Sequence, residues 1–220
     1  MKCYFILIAL YSTTLCNSQI VNKGRPNIDS AAEEFDKSVF INKRSIRIDG
    51  NDTIYINSDS FRYVESDKNH RELKQFSRGS NSNGEVGGYD YSVNPLFGVY
   101  KAFYSNGMIK EKGLFCWFGF KMGIWYYYNN EGSLISTTDY DKGYNFGQAD
   151  LFEFCAKNSI PLIRNDSSSA TKLLKADVKG KKYWIIEYNS YSLGKVKFIE
   201  LNAATGEVIR EFETQFPEER

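Results

Sequence analysis

Gly98-Val99-Tyr100-Lys101-Ala102-Phe103-Tyr104-Ser105-Asn106-Gly107-Met108-Ile109 is the stretch whose reading decides the fold, because it returns 25 positions later. The second copy runs Gly123-Ile124-Trp125-Tyr126-Tyr127-Tyr128-Asn129-Asn130-Glu131-Gly132-Ser133-Leu134. Gly98 matches Gly123, Tyr100 matches Trp125, and Phe103 matches Tyr128. Gly107 matches Gly132, and Ile109 matches Leu134. Self-similarity at a fixed period of this size marks a repeat built from one supersecondary unit. Each copy reads as an aromatic strand, a turn closed by glycine and a second strand. The turn glycine is expected at a positive φ, which other residues adopt only at a cost. One hairpin exposes an apolar face, and the next hairpin covers it.

Tyr104-Ser105-Asn106-Gly107-Met108-Ile109-Lys110-Glu111-Lys112-Gly113, followed by Gly119-Phe120-Lys121-Met122-Gly123-Ile124-Trp125-Tyr126-Tyr127-Tyr128, resembles MORN-type repeats of the bacterial variant. The resemblance covers residues 98–140, about a fifth of the chain. It implies a stacked β-hairpin sheet and a binding or scaffolding role. Some bacterial members are grouped with antitoxins or immunity proteins. Only two copies are recognisable, and arrays of this kind usually need at least three units. The neighbouring segments are therefore expected to complete the sheet.

Working outward toward the N-terminus, residues 1–18 read as a secretory signal peptide. Lys2 is followed by the apolar run from Cys3 to Tyr11, shorter than the roughly 20 residues of a membrane-spanning helix. Cys16 and Ser18 sit at −3 and −1, which makes Gln19 the expected mature N-terminus. Lipidation at Cys16 is the competing reading, poorly served by Leu15 before it. Localisation is expected to be the periplasm, the outer-membrane surface or the medium. Within the N-terminal region 19–95, residues 19–36 read as a loose entry segment. Residues 38–57 alternate apolar positions (Val39, Ile41, Ile46, Ile48, Ile54, Ile56) around Asp49-Gly50, predicting a β-hairpin. Residues 58–88 are polar enough to predict a long flexible loop. The repeat unit is assigned to 96–146.

Beyond it, residues 147–216 change period. Asp150 stands in a first turn, Leu151, Phe154 and Cys155 follow at helical spacing, and Lys157 and Asn158 suit a helix end. Strand signals return at residues 183–188, 196–201 and 207–212. Tyr183-Trp184-Ile185-Ile186 and Ile199-Glu200-Leu201-Asn202-Ala203-Ala204-Thr205-Gly206-Glu207-Val208 resemble the PepSY-like domains of exported bacterial proteins. Asn202 stands where such domains commonly carry aspartate. The expected fold class is mostly β, a stacked-hairpin sheet followed by a small helix-plus-antiparallel-sheet domain.

Charge excludes some partners. With 28 basic and 27 acidic residues, loss of Lys2 with the leader leaves the two signs equal. Nothing then drives binding to nucleic acid or to an anionic membrane. The densest basic stretch, Lys179, Lys181 and Lys182 around Gly180, reads as a solvated turn. Of four cysteines, Cys116 and Cys155 remain in the mature chain. They are read either as a disulfide, which an exporting compartment permits, or as two apolar fillers among aromatics.

Chemistry-bearing patterns are sparse. His70 is the single histidine, read as a solvated loop residue. One histidine supplies neither a His-rich metal site nor separate nucleophile systems. No Gly-x-Ser-x-Gly elbow occurs, and the glycines of 113–123 lack the Lys-Ser/Thr of a phosphate loop. The pairs Asp139/Asp141 and Glu33/Glu34 read as solvated carboxylates. No catalytic, cofactor-binding or metal-binding residue is therefore assigned, and no enzyme is expected. The one candidate surface is the aromatic run Phe115, Trp117, Phe118, Phe120, Trp125, Tyr126, Tyr127 and Tyr128, read as core or as a binding platform. The expected function is an exported, non-enzymatic binding or structural module of the cell envelope, whose partner is a protein or an envelope component. The alternative is an antitoxin or immunity protein that neutralises a toxin by binding.

Overall fold

The computed structural model describes residues 24–35, 47–48, 52–56, 61–66, 72–78, 83–162, 164, 171–190 and 195–215. The expected leader, Val39, Ile41, Ile46 and His70 lie outside the described residues. Among the described residues the protein is mostly β, with two antiparallel sheets and one short helix.

The first sheet has nine strands in chain order: β1 (Arg47–Ile48), β2 (Asp52–Ile56), β3 (Phe61–Ser66), β4 (Glu72–Arg78), β5 (Val86–Asp90), β6 (Phe97–Phe103), β7 (Ile109–Cys116), β8 (Phe120–Tyr128) and β9 (Leu134–Asp139). Helix α1 (Gln148–Lys157) follows. The second sheet is β10 (Lys172–Val178), β11 (Lys181–Ser190), β12 (Lys195–Asn202) and β13 (Val208–Gln215).

The repeat appears as two hairpins with the same turn. In β6–β7 the Tyr104 amide donates to the Met108 carbonyl (2.9 Å) and the Gly107 amide to the Tyr104 carbonyl (2.9 Å). In β8–β9 the Asn129 amide donates to Ser133 (2.9 Å) and the Gly132 amide to Asn129 (3.0 Å). Gly107 and Gly132 take φ of +96° and +83°, the region an L-residue avoids. The two turns are tied together, since the Asn106 Nδ2 donates to the Asn130 carbonyl at 2.7 Å. Gly98 and Gly123, although matched in sequence, do different work. Gly98 lies within β6 against the Tyr91 ring, whereas Gly123 has φ +58° within β8.

Neighbouring segments complete the sheet. Arg47 pairs with Thr53 and Ile48 with Asp52, which places a hairpin where the alternation of isoleucines predicts one. Within 58–88, expected to be a flexible loop, the described residues carry β3, β4 and most of β5 instead. Their polarity fits strands with one solvated face, and the backbone ladder supplies the order that composition alone does not. Val64 is buried, and Phe76 packs on the small core of Val86, Phe103, Ile109 and Tyr128.

Strand alternation sorts the sheet into two faces. Phe97, Val99, Lys101 and Phe103 point one way and Gly98, Tyr100 and Ala102 the other. The first, inner face receives α1: Phe97 stacks on Phe152 (6.4 Å) and Phe118 meets it edge-on (5.8 Å). Leu151 and Cys155 sink into the same core, which also holds Trp184, Ile186, Ile199 and Leu201 of the second sheet. A hydrogen bond from the Leu173 amide to the Phe118 carbonyl (2.8 Å) links the sheets directly. The helix starts as its sequence predicts, with the Asp150 carboxylate accepting from the Gly147 amide at 2.8 Å, and Asn158 at its end. The turn after β12 is held by Asn202, whose side-chain oxygen accepts from the Ala204 amide at 2.8 Å, a role aspartate serves equally. β10 is an addition to the predicted strands. Its residues Lys172-Leu173-Leu174-Lys175-Ala176 show no alternation, although Leu173 is fully buried.

Residues 24–35 are also not loose. They cross the inner face, where the Phe35 amide donates to Gly107 (2.8 Å) and the Ile109 amide to Glu33 (2.9 Å). The Lys112 side chain, 1% exposed, reaches Asp29 (3.3 Å), the Ala31 carbonyl (2.7 Å) and Glu33 (2.7 Å). Lys101 also pairs with Glu33. A buried ammonium needs such partners, and the strap brings them.

Candidate functional site

The outer face of the nine-stranded sheet carries a continuous band of aromatic rings. Trp117 meets Tyr91 edge-on at 5.2 Å, Tyr91 stacks on Tyr89 at 6.0 Å, and Tyr89 contacts both Tyr100 (4.9 Å) and Phe115 (5.1 Å). Tyr100 stacks on Trp125 at 5.5 Å, and Trp125 meets Tyr140 at 5.7 Å. Glycines let the rings lie against the backbone. A Cβ on Gly113 would fall 2.2 Å from the Trp125 indole, and one on Gly98 would fall 2.6 Å from the Tyr91 ring. The Trp125 indole N–H donates to the Leu114 carbonyl at 3.0 Å, which orients the ring.

Cations close both ends of the band. Arg164 sits 4.1 Å from the Trp117 centroid and 5.0 Å from that of Tyr91, while donating to the Pro95 carbonyl (2.8 Å). Lys121 Nζ lies 3.7 Å over Trp125 and 3.2 Å from a Glu111 oxygen. Such contacts are cation–π attraction to the ring faces. Between them, Tyr89, Tyr100 and Phe115 are half-buried and border two adjoining clefts. One cleft, of about 220 Å³, is lined by Leu73, Lys74, Gln75, Tyr89, Tyr91, Phe115 and Trp117. The other, of about 360 Å³, shares Gln75 and Tyr89 and adds Ser77, Glu85, Tyr100 and Ala102.

Burial raises the Tyr89 pKa and pushes that of Tyr100 up to about 12, with Glu111 adding to both. Burial also raises the Tyr91 hydroxyl well above its ordinary value. All three are therefore neutral hydroxyls at physiological pH, able to donate hydrogen bonds. Glu85, the single carboxylate lining the two clefts, is held by Lys110 at 2.6 and 2.8 Å.

The predicted aromatic run divides between core and surface. Phe118, Phe120, Trp125 and Tyr128 are buried, whereas Phe115, Trp117, Tyr126 and Tyr127 are half-buried. Tyr89, Tyr91 and Tyr100 lie outside the aromatic run singled out in the sequence, and the pairing of Tyr89 with Tyr100 across β5 and β6 brings them into the band.

The other candidates fall into structural roles. Cys116 and Cys155 are free thiols in one core, and burial pushes both up to about 12. The apolar-filler alternative holds. Asp141 accepts from the Gly123 amide (3.0 Å) and pairs with Lys175 (2.6 Å), while Asp139 accepts from the Asp141 amide (2.9 Å). Glu33 is not the solvated carboxylate expected. Burial pushes it up, but Lys101 and Lys112 outweigh that and hold it below its ordinary value. Lys179, at φ +53°, and Lys181 occupy an exposed turn, as the basic stretch predicts.

Among the described residues no group of three or more His, Cys, Asp or Glu is placed to hold a metal ion, and no helix is long and apolar enough to cross a membrane. Comparison with family models, with curated proteins and with solved structures finds no match to this chain.

Proposed function

We propose that this protein is a non-catalytic binding module, exported to the cell envelope, whose binding surface is the outer aromatic face of the nine-stranded sheet. The observation that carries the reading is the half-exposed trio Tyr89, Tyr100 and Phe115, lying between two cation-capped ends. Neutral tyrosine hydroxyls and ring faces recognise ligands by contact and hydrogen bonding rather than by bond-making. The two thiols, which a nucleophile role would need ionised, are buried and held protonated. The matched turns at Gly107 and Gly132 support a MORN-like unit. The helix α1 followed by β10–β13, with its Asn202 turn, supports a PepSY-like unit. Export rests on residues 1–18, and mass spectrometry of the protein from its native envelope tests it. Gln19 as the first residue is the expected result, and intact Met1 in a cytoplasmic fraction refutes it.

Binding itself is tested with Tyr89→Ala and Phe115→Ala. Loss of ligand at an unchanged melting temperature is expected, and undiminished binding by both refutes the site. A second reading, an antitoxin or immunity protein, is favoured by the open strand edges. β9 ends the order of the first sheet with every residue exposed, Leu134 and Ile135 among them, and Ile124 of β8 is exposed beside it. An unguarded edge offers pairing to another protein's strand. Ile135→Lys would abolish that binding and leave the aromatic face untouched.

A further inference from the structure

We infer that the clefts of the aromatic face take a proline-rich segment of a partner protein, held as a left-handed polyproline helix, an inference that rests on the reading of that face as the binding surface. Unused hydrogen-bond donors on the cleft walls carry it. Trp125 and Trp184 donate their indole N–H groups to the Leu114 and Phe146 carbonyls, at 3.0 and 2.8 Å. The hydroxyls of Tyr104, Tyr128 and Tyr144 likewise donate to backbone carbonyls. Among the described residues, nothing accepts from the Trp117 indole, the Tyr89 and Tyr100 hydroxyls or the Gln75 amide, and none of these atoms is sealed from solvent. Burial keeps both tyrosines protonated. An indole N–H can only donate, so a ligand that fits these walls brings acceptors.

The half-buried rings stand as walls. Tyr89 is tilted by 55° to both Tyr100 and Phe115, and Trp117 by 73° to Tyr91. Tyr89 and Gln75 are common to the two clefts, of which one is bordered by Leu73 and Gln75 and the other by Gln75 and Ser77. That offset, two residues along β4, is about 7 Å. A polyproline helix advances about 9 Å in each turn of three residues, so consecutive turns fall to consecutive clefts. Its carbonyls make no internal hydrogen bonds and its prolines lack the N–H, so it offers acceptors and almost no donors. β4 to β7 are interior strands, paired on both edges, so a ligand in the β conformation finds no open ladder to join. A sugar is served less well, because it stacks on bare ring faces, and Arg164 covers Trp117 while Lys121 covers Trp125. Lys74 borders one cleft and Glu85 the other, so the lining carries one charge of each sign and selects no charged class of ligand.

The experiment titrates decaproline into the full chain by calorimetry, beside a glycine-serine decapeptide and soluble xylan. Trp117→Phe, Tyr89→Phe and Tyr100→Phe each remove one donor and keep an aromatic ring, whereas Tyr89→Ala and Phe115→Ala remove a wall. Ile209→Ala, at an exposed residue of the second sheet, is the control, and far-ultraviolet circular dichroism confirms that each variant is folded. The expected result is saturable binding of decaproline to wild type and none of the other two probes. Loss of a donor should weaken it about fivefold, loss of a wall tenfold or more, and Ile209→Ala should leave it unchanged. Binding of xylan instead, lost in both wall variants, overturns the proline-rich ligand and leaves the binding face standing. Equal binding of the glycine-serine peptide, or undiminished binding of decaproline by all three donor variants, also overturns it. Decaproline binding undiminished in both wall variants overturns the inference and the placement of the site together. No binding of decaproline to wild type overturns the inference.

Discussion

Replacing Gly113 and Trp125 singly and together tests how the outer face is built. Trp125 is 1% exposed, stacks on Tyr100 and donates its indole N–H to the Leu114 carbonyl. Truncating a buried tryptophan costs about 3–5 kcal/mol, so Trp125→Ala should lower stability by that amount. Gly113→Ala acts from the other side. Its new Cβ would fall 2.2 Å from the indole, which is itself only 1% exposed. Overpacking of this kind costs about 1–3 kcal/mol. In the double variant that Cβ enters the space the indole has left. Gly113→Ala should then be nearly neutral, giving a coupling energy of about 1–3 kcal/mol. Urea denaturation followed by far-ultraviolet circular dichroism reads all four corners of the cycle without relying on tryptophan emission. Two single effects that add to within about 0.5 kcal/mol would refute the contact between ring and glycine.

Gly107→Val and Gly132→Val should each cost about 1–3 kcal/mol, because a β-branched residue is forced to φ +96° or +83°; melting temperatures equal to wild type would remove the shared turn. Lys112→Ala should release residues 24–35, so that the Phe35 and Ile109 amides, which bond across that junction, exchange hydrogen faster than amides within β11. Glu33 has a folded pKa below its ordinary 4.5, so it contributes stability above that value and loses it as pH falls through the folded pKa. Wild type should therefore weaken more steeply below pH 4.5 than Glu33→Gln in parallel urea titrations, and equal slopes would contradict the pairing with Lys101 and Lys112. Cys116 and Cys155 should resist iodoacetamide in the native protein and both react in urea; alkylation without denaturant would show that the thiols are not buried.

The parts of this fold legible in the sequence are those where one residue dictates a local geometry. Gly107 and Gly132 announced their turns, Asp150 its helix start, and Asn202 to Gly206 the last turn. The parts that were not legible depend on distant partners. β3 and β4 look disordered in composition because their order comes from strands on either side, not from their own apolar content. Asn83-Gly84 is the visible trace that was missed. It stands between β4 and β5 as Asn106-Gly107 stands between β6 and β7, with φ of +50° and +82°. β10 and the strap at residues 24–35 are likewise held from outside, by Ile186 of β11 and by Lys112. Of the site, Phe115 and Trp117 were legible as aromatics. That Tyr89 and Tyr100 share their face depends on register between β5, β6 and β7, which no local pattern states.

The most direct test of the binding face is photo-crosslinking in the cells that make the protein. Phe115 is replaced with p-benzoylphenylalanine, and the same replacement at Phe212 of β13 and at Ile135 of β9 serves for comparison. Benzophenone inserts into C–H bonds of a sugar or a peptide alike, so the measurement does not presuppose the ligand. The account predicts an adduct from position 115 and none from 212 or 135. An adduct confined to position 135 would place the partner on the open strand edge and contradict the aromatic face as the site.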